Sequence, residues 1–161
     1  AKETKEALKY GKLKLNPKQK EMFEFVDKLW KGSPCSGAVI LGPPISGKTF
    51  VTATILWKQR SSGFQLLICQ SRSLIRWKHE LNRFSNLRVV IFGLTGGISN
   101  PNNDNDVNEI EAADVVLCEY GLVDRMKNSL TKMGVSPFSV VVDLRHFYCL
   151  RQTLCGNTSV S

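Results

Sequence analysis

No apolar run in the 161-residue sequence approaches the roughly 20 residues needed to cross a bilayer. The first residues, AKETKEALKYGK, carry lysines but no apolar stretch behind them, so no secretory signal is expected. There is no C-x-x-C pair. The two histidines (His79, His146) and five cysteines (Cys35, Cys69, Cys118, Cys149, Cys155) fall at no metal-binding spacing, which argues against a structural zinc site. The odd cysteine count also argues against a closed disulfide framework. Cys69 and Cys118 end apolar runs, where a reduced thiol serves as a small hydrophobe, as expected in a cytosolic or nuclear compartment. No segment repeats at a fixed period.

Acid is in short supply: 14 Asp and Glu stand against 22 Lys and Arg, a net charge of +8. Most of the excess lies at the start. The first twenty residues hold seven lysines and two glutamates. Residues 1–14 are expected to be a basic arm suited to a phosphate backbone or an acidic partner, or else a solvated tail. The remainder, 15–161, has length and apolar content for one domain.

Pro17 suits the first turn of a helix capped by Asn16. Met22, Phe23, Phe25, Val26, Leu29 and Trp30 recur at helical spacing, so 17–31 is expected to be an amphipathic helix. Five short apolar runs follow: GAVIL (37–41), FQLLIC (64–69), LRVVIF (87–92), DVVLCEY (114–120) and FSVVVD (138–143). Helical patterns at 48–61, from Ser73 to Phe84 and up to Met133 lie between them. Strand alternating with helix predicts an α/β fold, a parallel sheet with helices on both faces. Residues 93–110, rich in Gly, Asn and Asp, are expected to be a mobile loop.

The strongest chemical signal is Gly42-Pro43-Pro44-Ile45-Ser46-Gly47-Lys48-Thr49, a G-x-x-x-x-G-K-[ST] phosphate loop between an apolar run and a helical one. Backbone N–H groups of such a turn and of the following helix can surround a phosphate. Lys48 would reach the terminal phosphates and Thr49 would hold Mg²⁺. The run ending in Asp143 supplies the usual second element, a carboxylate that positions the metal. An unrelated phosphate-loop kinase or GTPase would share these two features alone.

Further segments in order make the resemblance narrower. Leu15-Asn16-Pro17-Lys18-Gln19 is similar to L-x-P-x-Q, and the phosphate loop falls where D-E-M-G-L-G-K-T would stand. Trp77, Glu80 and Leu81 close a stretch, LLICQSRSLIRWKHEL, that resembles one ending in tryptophan and E-L. Val115–Tyr120 is similar to V-V-I-T-T-Y, Asp143–His146 to D-E-x-H, and Arg151–Thr158 to R-x-L-L-T-G-T-P. The chain thus resembles the first RecA-like lobe of the Swi/Snf-type DNA-dependent ATPases, a branch of superfamily-2 helicase-like proteins. The resemblance implies a phosphate-loop NTPase lobe, ATP and Mg²⁺ as cofactors, double-stranded DNA and a protein complex as partners, and a nuclear location in chromatin or repair. It implies Gln19 on the adenine, Gly42, Gly47, Lys48 and Thr49 around the nucleotide, and Thr49 with Asp143 on the metal.

The departures fall on chemistry. Where the family has the glutamate that polarises the attacking water, this chain has Leu144, which accepts no proton. Ile45 replaces a loop glycine, Cys118-Glu119 replaces T-T, and Cys155-Gly156-Asn157-Thr158 replaces T-G-T-P. No catalytic residue is therefore assigned. The expectation is a degenerate, pseudo-ATPase lobe serving as a protein-interaction and DNA-binding module. The alternative is lobe 1 of an active ATP-dependent translocase, completed by arginines of a second lobe. Arg72, Arg76 and Lys78, with the N-terminal lysines, are the candidates for DNA contact. Trp77 is expected to pack rather than stack on a base, and Trp30, Trp57 and Trp77 are candidates for a partner surface.

Overall fold

A computed structural model describes residues 15–32, 37–42, 46–93 and 104–144. The basic arm, Pro43–Ile45, Cys35, Cys149, His146 and the segment from Arg151 to Thr158 lie outside the described residues.

Helix α1 (Pro17–Gly32) starts on a reciprocal cap. Asn16 Oδ1 accepts from the Gln19 N–H at 2.9 Å, and Gln19 Oε1 accepts from the Asn16 N–H at 2.9 Å. Two N–H groups that the helix itself leaves without partners are thereby satisfied. The helix lies on α2 (Lys48–Gln59) as an outer layer and does not enter the sheet core. Of its apolar residues only Val26 is buried, while Phe25 and Trp30 stay exposed. Asp27 ties the two helices, accepting from Lys58 at 2.7 Å and from Lys31 at 2.8 Å. The Lys31 and Lys58 ammonium groups hold its carboxyl below the usual carboxylate range.

The sheet has four parallel strands: β1 (Gln65–Cys69), β2 (Val89–Phe92), β3 (Val115–Glu119) and β4 (Ser139–Val142), in the spatial order β2-β3-β1-β4. Between them run α3 (Leu74–Phe84), α4 (Asp104–Glu111) and α5 (Val123–Met133). The odd-facing residues Leu67, Cys69, Ile91, Val115 and Leu117 pack on Ala53 and Leu56 of α2 and Leu74, Trp77 and Leu81 of α3. The even-facing Leu66, Ile68, Phe92, Val116 and Cys118 pack on Ile110 of α4 and Met126 and Leu130 of α5. Strands β1, β2 and β3 therefore bury residues on both faces, which explains why their sequences read as unbroken apolar runs, whereas β4 leaves Val140 and Val142 exposed. The steps β1 to β2 and β3 to β4 run in opposite directions across the sheet. Their helices, α3 and α5, lie on opposite faces, as right-handed crossovers require. The expected α/β sheet covered on both faces is present.

Two expectations need correction. Residues 37–41 belong to no strand, and Val39 and Leu41 are 68% and 83% exposed. An apolar run becomes a strand only with a neighbour to pair with, and here β4 stands at the sheet edge among the described residues. Part of the expected loop at 93–110 is helical: α4 buries Ile110 completely against β3 and α5 residues. One apolar anchor per two turns, beside Ala113, is enough to hold a polar helix on a sheet.

Gln65 is the buried polar link of the core. Its Nε2 donates to the Leu56 carbonyl at 2.7 Å, and its Oε1 accepts from the Ser139 hydroxyl at 3.2 Å. It thus joins the end of α2 to the starts of β1 and β4. Gly134, at φ 67°, closes α5 with the Val135 N–H donating to the Leu130 carbonyl at 3.1 Å, a left-handed cap that favours glycine.

Candidate functional site

The twelve-residue α2 is about 18 Å long, and the five-residue β1 behind it spans about 17 Å. Gln65 pins the far end of α2 to the amino end of the strands. Its near end, with Lys48 and Thr49, therefore lies at the carboxyl edge of the sheet, where open α/β sheets place their ligands.

The loop that enters α2 is organised by Gly47 and Lys48. Gly47 takes a left-handed conformation (φ 79°, ψ 16°) and accepts at its carbonyl from the Phe50 N–H at 3.0 Å and the Val51 N–H at 3.1 Å. Lys48 turns back across the loop and donates from Nζ to the Gly42 carbonyl at 2.7 Å and to Ser46 Oγ at 3.1 Å. The ammonium thus lies within the turn. Thr49 is half-buried in the first turn of α2. A Cβ built on Gly47 would overlap Gln19 Nε2, so the carboxamide of Gln19 lies directly on the loop backbone. Gln19, Gly42, Gly47 and Lys48, chosen from sequence, are brought together at one place. The contact between Gln19 and Gly47 had no sequence signal, because it spans two elements.

Asp143 follows β4 at the same edge and is held from three sides. Its N–H donates to the Ile68 carbonyl at 2.8 Å, its carbonyl accepts from the Tyr120 hydroxyl, and its Oδ2 accepts from the Trp77 indole N–H at 2.7 Å. Trp77 is buried, as expected of a packing residue, but it also holds the candidate metal carboxylate. Trp77 and Tyr120 belong to separate sequence motifs, and nothing in the sequence joins either to Asp143. Their convergence on Asp143 depends on three strands lying side by side. Leu144, next to Asp143, is 38% exposed.

Beside this edge, Cys118 is fully buried on the even face, and burial together with the Glu119 charge pushes its thiol up to about 12. It is a core thiol. Arg72 sits in the turn before α3 and donates to Gln70 Oε1 at 2.8 Å, so only Arg76 and Lys78 lie on the helix itself, both exposed. Of the three tryptophans, Trp57 is covered by the Arg60 guanidinium at 4.2 Å, Trp77 is core, and Trp30 is the most exposed, at 44%, with its ring centroid 5.8 Å from that of Phe138. A groove of about 450 Å³, lined by Leu66, Met126, Leu130 and Val135, opens at the amino end of the sheet, away from the loop.

The donor set can be tested against a nucleotide with Mg²⁺. Lys48, the N–H groups opening α2, the Thr49 hydroxyl and the Asp143 carboxylate are hard, oxygen-seeking or oxygen-bearing groups suited to phosphate and Mg²⁺. They fit binding. The neighbour of Asp143 is Leu144, whose side chain carries no proton acceptor.

No protein-family model and no curated protein matches the sequence. Among solved structures the chain is similar to the SWI2/SNF2 ATPase core of Sulfolobus solfataricus in complex with double-stranded DNA, with a TM-score of 0.53 and 18% identity. The similarity covers 80% of this chain and 31% of that one, so the chain spans less than a third of the neighbour it matches. At this identity the likeness establishes the RecA-like fold.

Proposed function

We propose that this lobe binds a Mg-nucleotide without hydrolysing it, and that it acts as a pseudo-ATPase interaction module of the SWI2/SNF2 kind. The observation that carries the reading is the pairing of the turn at Gly47 and Lys48 with Leu144 after Asp143. The left-handed Gly47 and the Lys48 ammonium turned toward the Gly42 carbonyl support a phosphate-binding turn. Yet the residue after Asp143, at the carboxyl edge of β4, is an aliphatic side chain. Leucine neither orients a water nor accepts its proton. Lys48 and the amides opening α2 would hold the phosphates, Thr49 and Asp143 the metal, and Gln19 the base side of the loop. Bound Mg²⁺ supplies charge neutralisation of the phosphates. On this reading the nucleotide is a structural ligand, and the lobe works in a nuclear complex on chromatin or in repair. A protein partner and double-stranded DNA are its expected contacts. Exposed Arg76 and Lys78 and the basic arm support the DNA contact.

The test is calorimetric titration of the chain with Mg-ATP, followed by phosphate release with and without duplex DNA. Binding abolished by Lys48→Ala, with no phosphate release, is the expected result. Hydrolysis above the Lys48→Ala background refutes it. The survival of Lys48, Thr49 and Asp143 favours a second reading, the first lobe of an active ATP-dependent DNA translocase. DNA-stimulated phosphate release would establish that one.

A further inference from the structure

We infer that Trp77 is a positioning residue: its indole N–H orients the Asp143 carboxylate toward the metal that accompanies the nucleotide. The inference rests on the Mg-nucleotide reading above and adds a residue to that site.

The argument starts from what a buried tryptophan requires. Trp77 is 4% exposed and fills space between α3 and the odd face of the sheet. Phenylalanine or leucine could serve that volume. An indole also brings one N–H, which needs an acceptor once it leaves water. That acceptor is Asp143 Oδ2, at 2.7 Å and 66 residues away in sequence. The distance lies at the short end of N–H···O bonds, where donors to a carboxylate are found. A carboxylate rotates about a soft terminal torsion, so one firm bond to one oxygen fixes the plane of both.

The rest of Asp143 is held independently. Ile68 takes its N–H, and the Tyr120 hydroxyl donates to its carbonyl. The backbone therefore does not need Trp77 to stay in place. What Trp77 adds is the orientation of the side chain. The bond also joins α3, whose outer side carries Arg76 and Lys78, to the end of β4.

A packing role and a positioning role predict different things. The measurement is calorimetric affinity for ADP, in Mg²⁺ and again in EDTA, on the 161-residue chain. If Trp77 orients the carboxylate, Trp77→Phe raises the Kd for ADP in Mg²⁺ about tenfold and leaves the Kd in EDTA unchanged. In an Asp143→Asn background the same substitution has no further effect. Equal weakening in Mg²⁺ and EDTA, or a full effect that persists with Asp143→Asn, overturns the inference. So does no effect at all. A second measurement covers a Trp77→Phe chain that fails to fold. In ¹⁵N-labelled protein, with the indole signals assigned through Trp30→Phe and Trp57→Phe, the Trp77 N–H proton resonance should move upfield in Asp143→Asn. A resonance that stays put refutes the bond itself. A wild-type chain that binds no ADP in either buffer, yet shows that upfield move, refutes the nucleotide reading and with it the metal role of Trp77, leaving a structural bond.

Discussion

Replacing Gly47 with alanine separates two physical demands on one position. The first is backbone conformation: at φ 79° an alanine costs roughly 1 kcal/mol relative to glycine. The second is space. The new Cβ overlaps Gln19 Nε2, and Gln19 must swing away. That movement breaks the bond from the Asn16 N–H to Gln19 Oε1, worth about 1 kcal/mol. Gly47→Ala should therefore lose about 2 kcal/mol, a fall in Tm of roughly 4–8 °C for a chain of this length. Gln19→Ala alone loses the cap bond, about 1 kcal/mol. The double variant should lose only about 2 kcal/mol, because the cap can be lost once. The two substitutions are then coupled by about 1 kcal/mol. Urea unfolding followed by circular dichroism gives all four stabilities. If the losses add to within about 0.3 kcal/mol, Gln19 does not lie on the loop in solution and the reasoning fails. If Gly47→Ala costs nothing, the left-handed turn is absent.

Leu67, fully buried in the inner strand β1, should lose about 2–5 kcal/mol on change to alanine, measured by urea unfolding. Leu41→Ala, at an 83% exposed position outside the sheet, should stay within about 0.5 kcal/mol in the same assay, and a larger loss would place 37–41 in the core after all. Cys118 should resist alkylation at pH 8–9 in the folded chain and react on unfolding, because its thiol is raised from the ordinary 9.0 to about 12. The native state holds that proton more tightly, so the associated stability is intact below pH 9 and lost as pH rises toward 12. Rapid labelling of Cys118 in native buffer would refute its burial.

Four of the five apolar runs could be read as parallel strands from sequence: in β1, β2 and β3 double-sided burial leaves no polar alternation, and β4 keeps the same apolar pattern although Val140 and Val142 are exposed. The Asn16 cap and the α1 start at Pro17 were equally legible, since each is a local pattern whose chemistry lies within a few residues, whereas the return bond from Gln19 was not read. What sequence could not decide was partnership. GAVIL at 37–41 has strand composition, but a strand is made by its neighbour, and only the assembled sheet shows Val39 and Leu41 left in solvent. Ile110 anchors a helix inside a stretch whose composition reads as loop, because one buried contact outweighs six polar residues only when a sheet is there to receive it. Trp77, Tyr120 and Asp143 were visible as separate residues. That they meet is a consequence of β3, β1 and β4 lying side by side, which brings distant segments within 3 Å through long-range pairing.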